Sequence, residues 1–162
     1  MSGTEQKSEA ASSQAPICVR DATAGDEARW RVLWAGYTAF YETDVPADVT
    51  AHTWARILDP ASPISCRLAE REGRVAGFAV SVLHPGTWGH GPRCYLEDLF
   101  VDPKVRGGGV GRALIQDLIT RGRAEGWIEL YWQTKASNTV ARRLYDSFTP
   151  ADEFVRYCVQ LA

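Results

Sequence analysis

The chain has 162 residues, 45% of them apolar and 23% charged, with 18 Lys and Arg against 20 Asp and Glu for a net charge of −2. That is the make-up of one globular domain, burying about 68 to 70% of its unfolded surface without disulfides or a structural metal to supplement the core. The near-neutral balance excludes a broad electrostatic pull toward nucleic acid or acidic membranes, so an anionic ligand must meet a local basic patch.

Residues 1–15 mix Ser, Ala, Gln and Glu with no large apolar side chain after Met1. Such a segment does not repay the entropy of ordering and is expected to be a disordered tail ahead of a single domain over 16–162. Ile17-Cys18-Val19-Arg20 reads as a short strand, and residues 21–26 supply turn and helix-start chemistry. Trp30, Leu33, Trp34, Tyr37 and Tyr41 recur at helical spacing, which predicts an amphipathic helix over 26–41. A shorter helix is expected over 50–58, ended by Asp59-Pro60. Residues 65–70 and 74–83 flank the turn Arg71-Glu72-Gly73 as a hairpin.

After a Gly- and Pro-rich loop at 84–92, residues 94–101 read as a central strand, and the acids Glu97 and Asp98 within it invite explanation. Arg106-Gly107-Gly108-Gly109-Val110-Gly111-Arg112 then precedes a helix burying Leu114, Ile115, Leu118, Ile119 and Gly122, with Gly126 past its end. A strand is expected over 127–134. Ser137 or Asn138 caps a last helix whose Ala141, Leu144, Tyr145 and Phe148 share one face, and residues 154–160 form a closing strand. Cys18, Cys66, Cys94 and Cys158 make no C-x-x-C pair and have no His at zinc-ligand spacing, which predicts buried free thiols in a reducing compartment and no metal. No apolar run approaches the roughly 20 residues of a membrane helix, and no basic start leads into an apolar stretch at the amino terminus, so a cytoplasmic location is expected.

A strand, a Gly-rich turn carrying Arg and a helix together make an anion site, because Gly lets backbone N–H groups converge while the helix start adds partial positive charge. Phosphate is the natural guest; the alternative is a flexible connection with surplus Gly. Nucleotide-binding signatures fit poorly. G-x-x-x-x-G-K-[ST] is absent, and G-x-G-x-x-G fails at Arg112 and at Leu114.

Leu99-Phe100-Val101, the Arg106 to Gly111 run, and Asn138 with Tyr145 seven residues later resemble the acetyl-CoA signature of the GNAT superfamily of N-acetyltransferases. Its core, [QR]-x-x-G-x-[GA], is met by Arg106, Gly109 and Gly111. The resemblance extends over about 17–161 and looks closest to the histone and polyamine acetyltransferase branch, through Tyr95-Leu96-Glu97-Asp98-Leu99-Phe100-Val101 and Leu130-Tyr131-Trp132-Gln133-Thr134. One departure is that Tyr145 leads into Asp146-Ser147-Phe148-Thr149-Pro150 rather than the family's Gly-Phe turn.

The resemblance implies an α/β (α+β) fold with a mixed central sheet, in the order β-α-α-β-β-β-α-β-α-β, splayed near Glu97-Asp98. It implies acetyl-CoA as co-substrate, its pyrophosphate held at Arg106, Gly107, Gly108, Gly109, Val110, Gly111 and Arg112 and its pantetheine laid along Leu99, Phe100 and Val101. An N–H at Leu99 or Phe100 would polarise the thioester carbonyl. Asn138 would hold pantetheine, cap its helix, or do both. Glu97 would take the amine's proton through water, and Tyr145 would protonate the leaving thiolate. Each also has a plain structural reading, as a strand acid and a packed ring. Trp34, Tyr37, Tyr41, Glu42 and Asp44 are candidate walls of an acceptor pocket, with His84, Trp88 and His90 as a rim. The expected reaction is acetyl transfer by direct attack of a primary amine, on a small molecule, a polyamine or a protein lysine. The alternative is a non-catalytic acyl-CoA-binding module. The expected partners are the amine, acetyl-CoA and a second copy joined through the β-prone run at 154–161, with neither nucleic acid nor membrane.

Overall fold

The computed structural model describes residues 15–161 and shows a five-stranded sheet in simple sequence order: β1 (Ile17–Asp21), β2 (Ile64–Arg71), β3 (Arg74–Pro85), β4 (Pro92–Val101) and β5 (Glu129–Tyr131). The first four strands run antiparallel. β5 joins β4 in parallel, after the crossover helix α3 (Val110–Glu125). α1 (Glu27–Phe40) and α2 (Ala47–Leu58) pack on one face of the sheet, while α3 and α4 (Thr139–Tyr145) serve the other. The mixed α/β architecture expected from the sequence is therefore present.

The two faces have different cores because alternate strand residues differ in size. Trp30 and Leu33 of α1 and Trp54 and Ile57 of α2 meet Leu68, Phe78, Val80 and Phe100. On the opposite face Leu114, Ile115 and Leu118 of α3 meet Ala69, Ala76, Ala79 and Leu96, and these small strand residues leave room for the helix to lie close. Arg67, only 13% exposed, ties the layers: it binds Asp21 at 2.8 Å and Asp117 of α3 at 2.7 Å.

β4 carries the irregularity that positions the site. Val80 pairs with Asp98 and Ser81 with Leu96, so Glu97 is an extra residue with no partner on β3. This is a β-bulge, and it reverses the alternation. Leu96 and Leu99, three apart, both face α3, whereas Phe100 faces α1. The splay expected near Glu97-Asp98 has this bulge as its origin. β5 pairs with β4 only from Arg93 to Tyr95, so the strands part beyond that point.

Three expectations are corrected. The strand over 127–134 contracts to Glu129–Tyr131, because its continuation diverges from β4. The closing strand over 154–160 does not form: residues 151–161 are irregular and exposed. A strand needs a neighbour's backbone, and the three-residue β5 offers a short edge. Of the four cysteines, Cys66 and Cys94 are buried free thiols as expected, but Cys18 on the edge strand and Cys158 in the carboxy-terminal segment are exposed. The expected tail lies, except for Ala15, outside the described residues. No helix among the described residues is long and apolar enough to cross a membrane.

Candidate active site

The parted β4 edge, the glycine turn and α4 enclose a cleft of about 490 Å³. It brings together Leu99, Phe100, Val101, Arg106, Gly107, Gly109, Val110, Gly111, Arg112, Asn138 and Tyr145, which are eleven of the thirteen residues expected at the site. Gly108 turns away from the cleft and lies against the Arg71 guanidinium, while Glu97 sits exposed on the bulge outside the lining. Tyr37 and Tyr41, candidate walls of an acceptor pocket, both line this cleft together with Phe40. Their helical spacing was the signal that brought them to one face of α1. Trp34 instead packs against the core and donates from Nε1 to Thr50 at 3.2 Å, and Trp88 is 95% exposed.

The turn is shaped for an anion. Gly107 (φ 78°) and Gly109 (φ 85°) occupy the left-handed region, where side chains with a Cβ are disfavoured. Gly109 is the residue before α3, so the unpaired N–H groups of the first helical turn open at this point. A Cβ on Gly111 would stand 3.0 Å from Leu144, so its absence lets α4 close the cleft against α3.

The exposed main chain of β4 follows from its pairing. The Asp102 N–H donates to the Ala76 carbonyl of β3, at 2.8 Å. Strand alternation then turns the groups of Phe100 toward β3 and those of Leu99 and Val101 toward the cleft. The Val101 carbonyl accepts from Arg106 Nε at 3.2 Å on that open side. Leu99, rather than Phe100, is thus the residue of the expected pair whose N–H is available to a ligand. Asn138 caps α4, its Oδ1 accepting from the Ala141 N–H at 3.3 Å, while its Nδ2 donates one hydrogen to Thr134 Oγ1 at 3.1 Å and keeps the other.

Titration at this end of the cleft is unusual. Burial pushes the Tyr145 hydroxyl up to about 12, with Tyr41 adding to the effect; the ring itself packs on Trp132 at 5.6 Å. Burial raises the half-buried Asp98 carboxyl to about 6, opposed by the neighbouring Tyr37 hydroxyl and helped by the Glu97 charge. The Tyr37 hydroxyl is raised in turn, by burial first and then by Asp98. Glu97 is also raised by desolvation, with Arg156 opposing. Asp98 was the acid that simple alternation assigned to the face away from Glu97; the bulge brings it beside Tyr37 on the α1 face. Lys135, in the loop before α4, stands over the Tyr41 ring at 5.6 Å.

Comparison with known proteins gives the family and the fold. Residues 28–148 match the model of the acetyltransferase (GNAT) family. The chain is 33% identical over 143 residues to a D-amino-acid N-acetyltransferase of Saccharomyces cerevisiae, covering 87% of this chain and 89% of that one. A shorter match, 36% over 86 residues, reaches a mycothiol acetyltransferase of Thermobispora bispora and covers 52% of this chain and 29% of the relative. Among solved structures, aminoglycoside N-acetyltransferase AAC(6')-Iy in complex with CoA superposes with a TM-score of 0.76 at 22% identity, over 91% of this chain and 97% of the other. At that identity the superposition speaks for the fold. The chain belongs to the GNAT acetyltransferase family, whose members use acetyl-CoA as acetyl donor.

Proposed function

We propose that the protein transfers the acetyl group of acetyl-CoA, by direct attack, to the primary amine of a small amino-acid-sized acceptor. The observation that carries this reading is the set of three tyrosines lining the cleft, Tyr37, Tyr41 and Tyr145, with an acid, Asp98, beside Tyr37 and a cation, Lys135, which makes no ion pair among the described residues, over the Tyr41 ring. The pyrophosphate lies on the N–H groups of the glycine turn with Arg106 and Arg112 beside it, and pantetheine follows Leu99 to Val101 as an added strand would. The Leu99 N–H donates to the thioester oxygen as negative charge develops there. The amine loses its proton through water to the carboxylates at the bulge, Glu97 exposed and Asp98 half-buried; Asp98, poised near 6, accepts it within the ordinary pH range. Tyr145 keeps its proton throughout that range and donates a hydrogen bond to the departing thiolate.

An acid beside Tyr37 and a cation over the neighbouring Tyr41 ring suit a zwitterion, the ammonium toward Asp98 and a carboxylate toward Lys135. The yeast relative's action on D-amino acids is consistent with such an acceptor. Polyamines and histone-tail lysines, acceptors of the branch that the strand sequences resemble, are the competing choices. The test is release of CoA thiol in the presence of D- and L-amino acids, polyamines, aminoglycosides and histone-tail peptides. We expect release to depend on added amine and to be fastest with amino acids. Turnover only with polyamines or peptides would overturn the acceptor class, and CoA binding without amine-dependent release would leave an acyl-CoA-binding module.

The same reading includes a homodimer acting in the cytoplasm. Val155, Tyr157, Val159 and Leu161 alternate with Arg156, Cys158 and Gln160, and Phe154, Tyr157 and Leu161 are 87, 91 and 93% exposed. A period-2 apolar face without a neighbour, on a chain whose β5 edge is open, fits pairing with a second copy. Light scattering is expected to give twice 17.9 kDa, and truncation after Glu153 to return the monomer. A monomeric mass for the full chain at micromolar concentration would remove the dimer.

A further inference from the structure

The glycine turn has a second cavity behind it. About 410 Å³ in volume, it is lined by Arg29, Arg71, Glu72, Arg74, Asp102 and Lys104 over an apolar floor of Val75, Ala76 and Val105, and it shares no lining residue with the cofactor cleft. Arg29 and Asp102 cancel each other: their ion pair is 2.7 Å long, and the Arg29 Nε is also spent on the Val75 carbonyl at 2.9 Å. That leaves Arg71, Arg74 and Lys104 facing Glu72 alone. None of these four makes an ion pair among the described residues, whereas Arg20, Arg31, Arg67, Arg93 and Arg121 each hold a carboxylate.

The cavity is also mechanically joined to the cofactor turn. A Cβ built on Gly108 would fall 2.1 Å from Arg71 Nη1, so the missing side chain is what allows the guanidinium to lie on the turn. The β2–β3 hairpin holds Arg71 and Arg74 at its two ends: Glu72 (φ 54°) and Gly73 (φ 71°) turn the chain in the left-handed region, and Arg71 pairs with Arg74 across the ladder. Two guanidiniums and an ammonium around one concavity, with a single carboxylate to oppose them, provide the charge and forked donors that a phosphate-class dianion requires.

We propose that this cavity binds a phosphate-class dianion, as orthophosphate or a phosphomonoester, and that its occupation weakens acetyl-CoA binding on the other side of the turn. The sign follows from charge. A dianion behind the turn cancels positive potential that otherwise favours the pyrophosphate, and it draws on the Arg71 guanidinium that rests on Gly108. The site rests on its own residues; only the coupling depends on the cofactor cleft assigned above.

The phosphate could belong to a free metabolite or to the 3′-phosphate of CoA itself, and the experiment separates the two. Inorganic phosphate is titrated calorimetrically into the protein saturated with acetyl-CoA, at constant ionic strength. We expect one site that weakens at least tenfold in the Arg71→Ala/Arg74→Ala variant and, to a smaller extent, in Lys104→Ala. Acetyl-CoA affinity should fall roughly three- to tenfold when phosphate is saturating, and this loss should vanish in the double variant. Phosphate binding that acetyl-CoA abolishes, or that the double variant retains, would overturn the site. So would a double variant that discriminates less than wild type between acetyl-CoA and its 3′-dephospho form, since the cavity would then serve the cofactor's own phosphate. Unchanged acetyl-CoA affinity at saturating phosphate would overturn the coupling.

Discussion

Acetyl-CoA is expected to raise the melting temperature of the wild-type protein by roughly 5 to 10 °C at a hundredfold excess over its Kd, and Gly109→Glu is expected to abolish that rise. A ligand that binds only the native state contributes about 2.7 kcal/mol at that excess, and a domain of this length moves about 2 to 4 °C per kcal/mol. Gly109 stands at φ 85°, immediately before α3, where the first-turn N–H groups open toward the cleft. A glutamate there sets a carboxylate on the very donors that the pyrophosphate uses. It also introduces backbone strain, because the left-handed conformation disfavours any Cβ, although the nearest atom in space, Ile17 Cδ1, is 3.8 Å away. Gly109→Ala separates the two effects. It should lower the unliganded melting temperature by the same few degrees and keep most of the acetyl-CoA shift, since it carries strain without charge. A full shift in folded Gly109→Glu would remove the turn from the cofactor site.

Much of this site was legible in the sequence because it is built from backbone. Glycines at fixed offsets, an apolar strand before them and a helix after them encode an anion turn in residue identity, so residue order alone groups the turn residues that line the cleft, with Gly108 the exception. Gly108 points elsewhere because of Arg71, 37 positions away, a contact that no local pattern announces. The acids were harder. Alternation along β4 assigned Glu97 and Asp98 to opposite faces, and the bulge at Glu97 then reset the parity, so the carboxylate beside Tyr37 is the second of the pair. The run at 154–160 has strong strand propensity, but propensity describes fitness for a pleated surface, and the surface has to be supplied by a neighbour. Within the protomer β5 is too short to supply it. The exposed Cys158 misled for the same reason, since its expected burial assumed that strand was in the sheet.

Asp98→Asn is expected to make the protein more stable near neutral pH and at least a hundredfold less active. The native carboxyl titrates near 6, above the unfolded value of about 3.9, because burial penalises its charge more than the neighbouring Tyr37 hydroxyl favours it. The native state therefore holds this proton more firmly than the unfolded chain does. Its contribution to stability is complete below about pH 4, fades as pH rises through 6, and is absent at pH 7, a loss of about 2 to 3 kcal/mol. Asn keeps a polar group of the same shape beside Tyr37 without the charge, so thermal melts of the variant should lie above wild type at pH 7 and converge with it near pH 4. Asp26 and Asp102 impose the opposite slope, since Arg20 and Arg29 depress them and their contributions are lost as pH falls. They do not touch Asp98 and should behave alike in both proteins. The activity loss follows from removing the proton acceptor, which is worth about 10² to 10⁴ in rate, and the acid limb of kcat/KM near pH 6 should disappear with it. Glu97→Gln supplies the comparison: as the outer, exposed carboxylate it should cost less and leave that limb in place. If Glu97→Gln instead removes the limb while Asp98→Asn retains wild-type turnover, the outer acid is the base and Asp98 only shapes the strand around it.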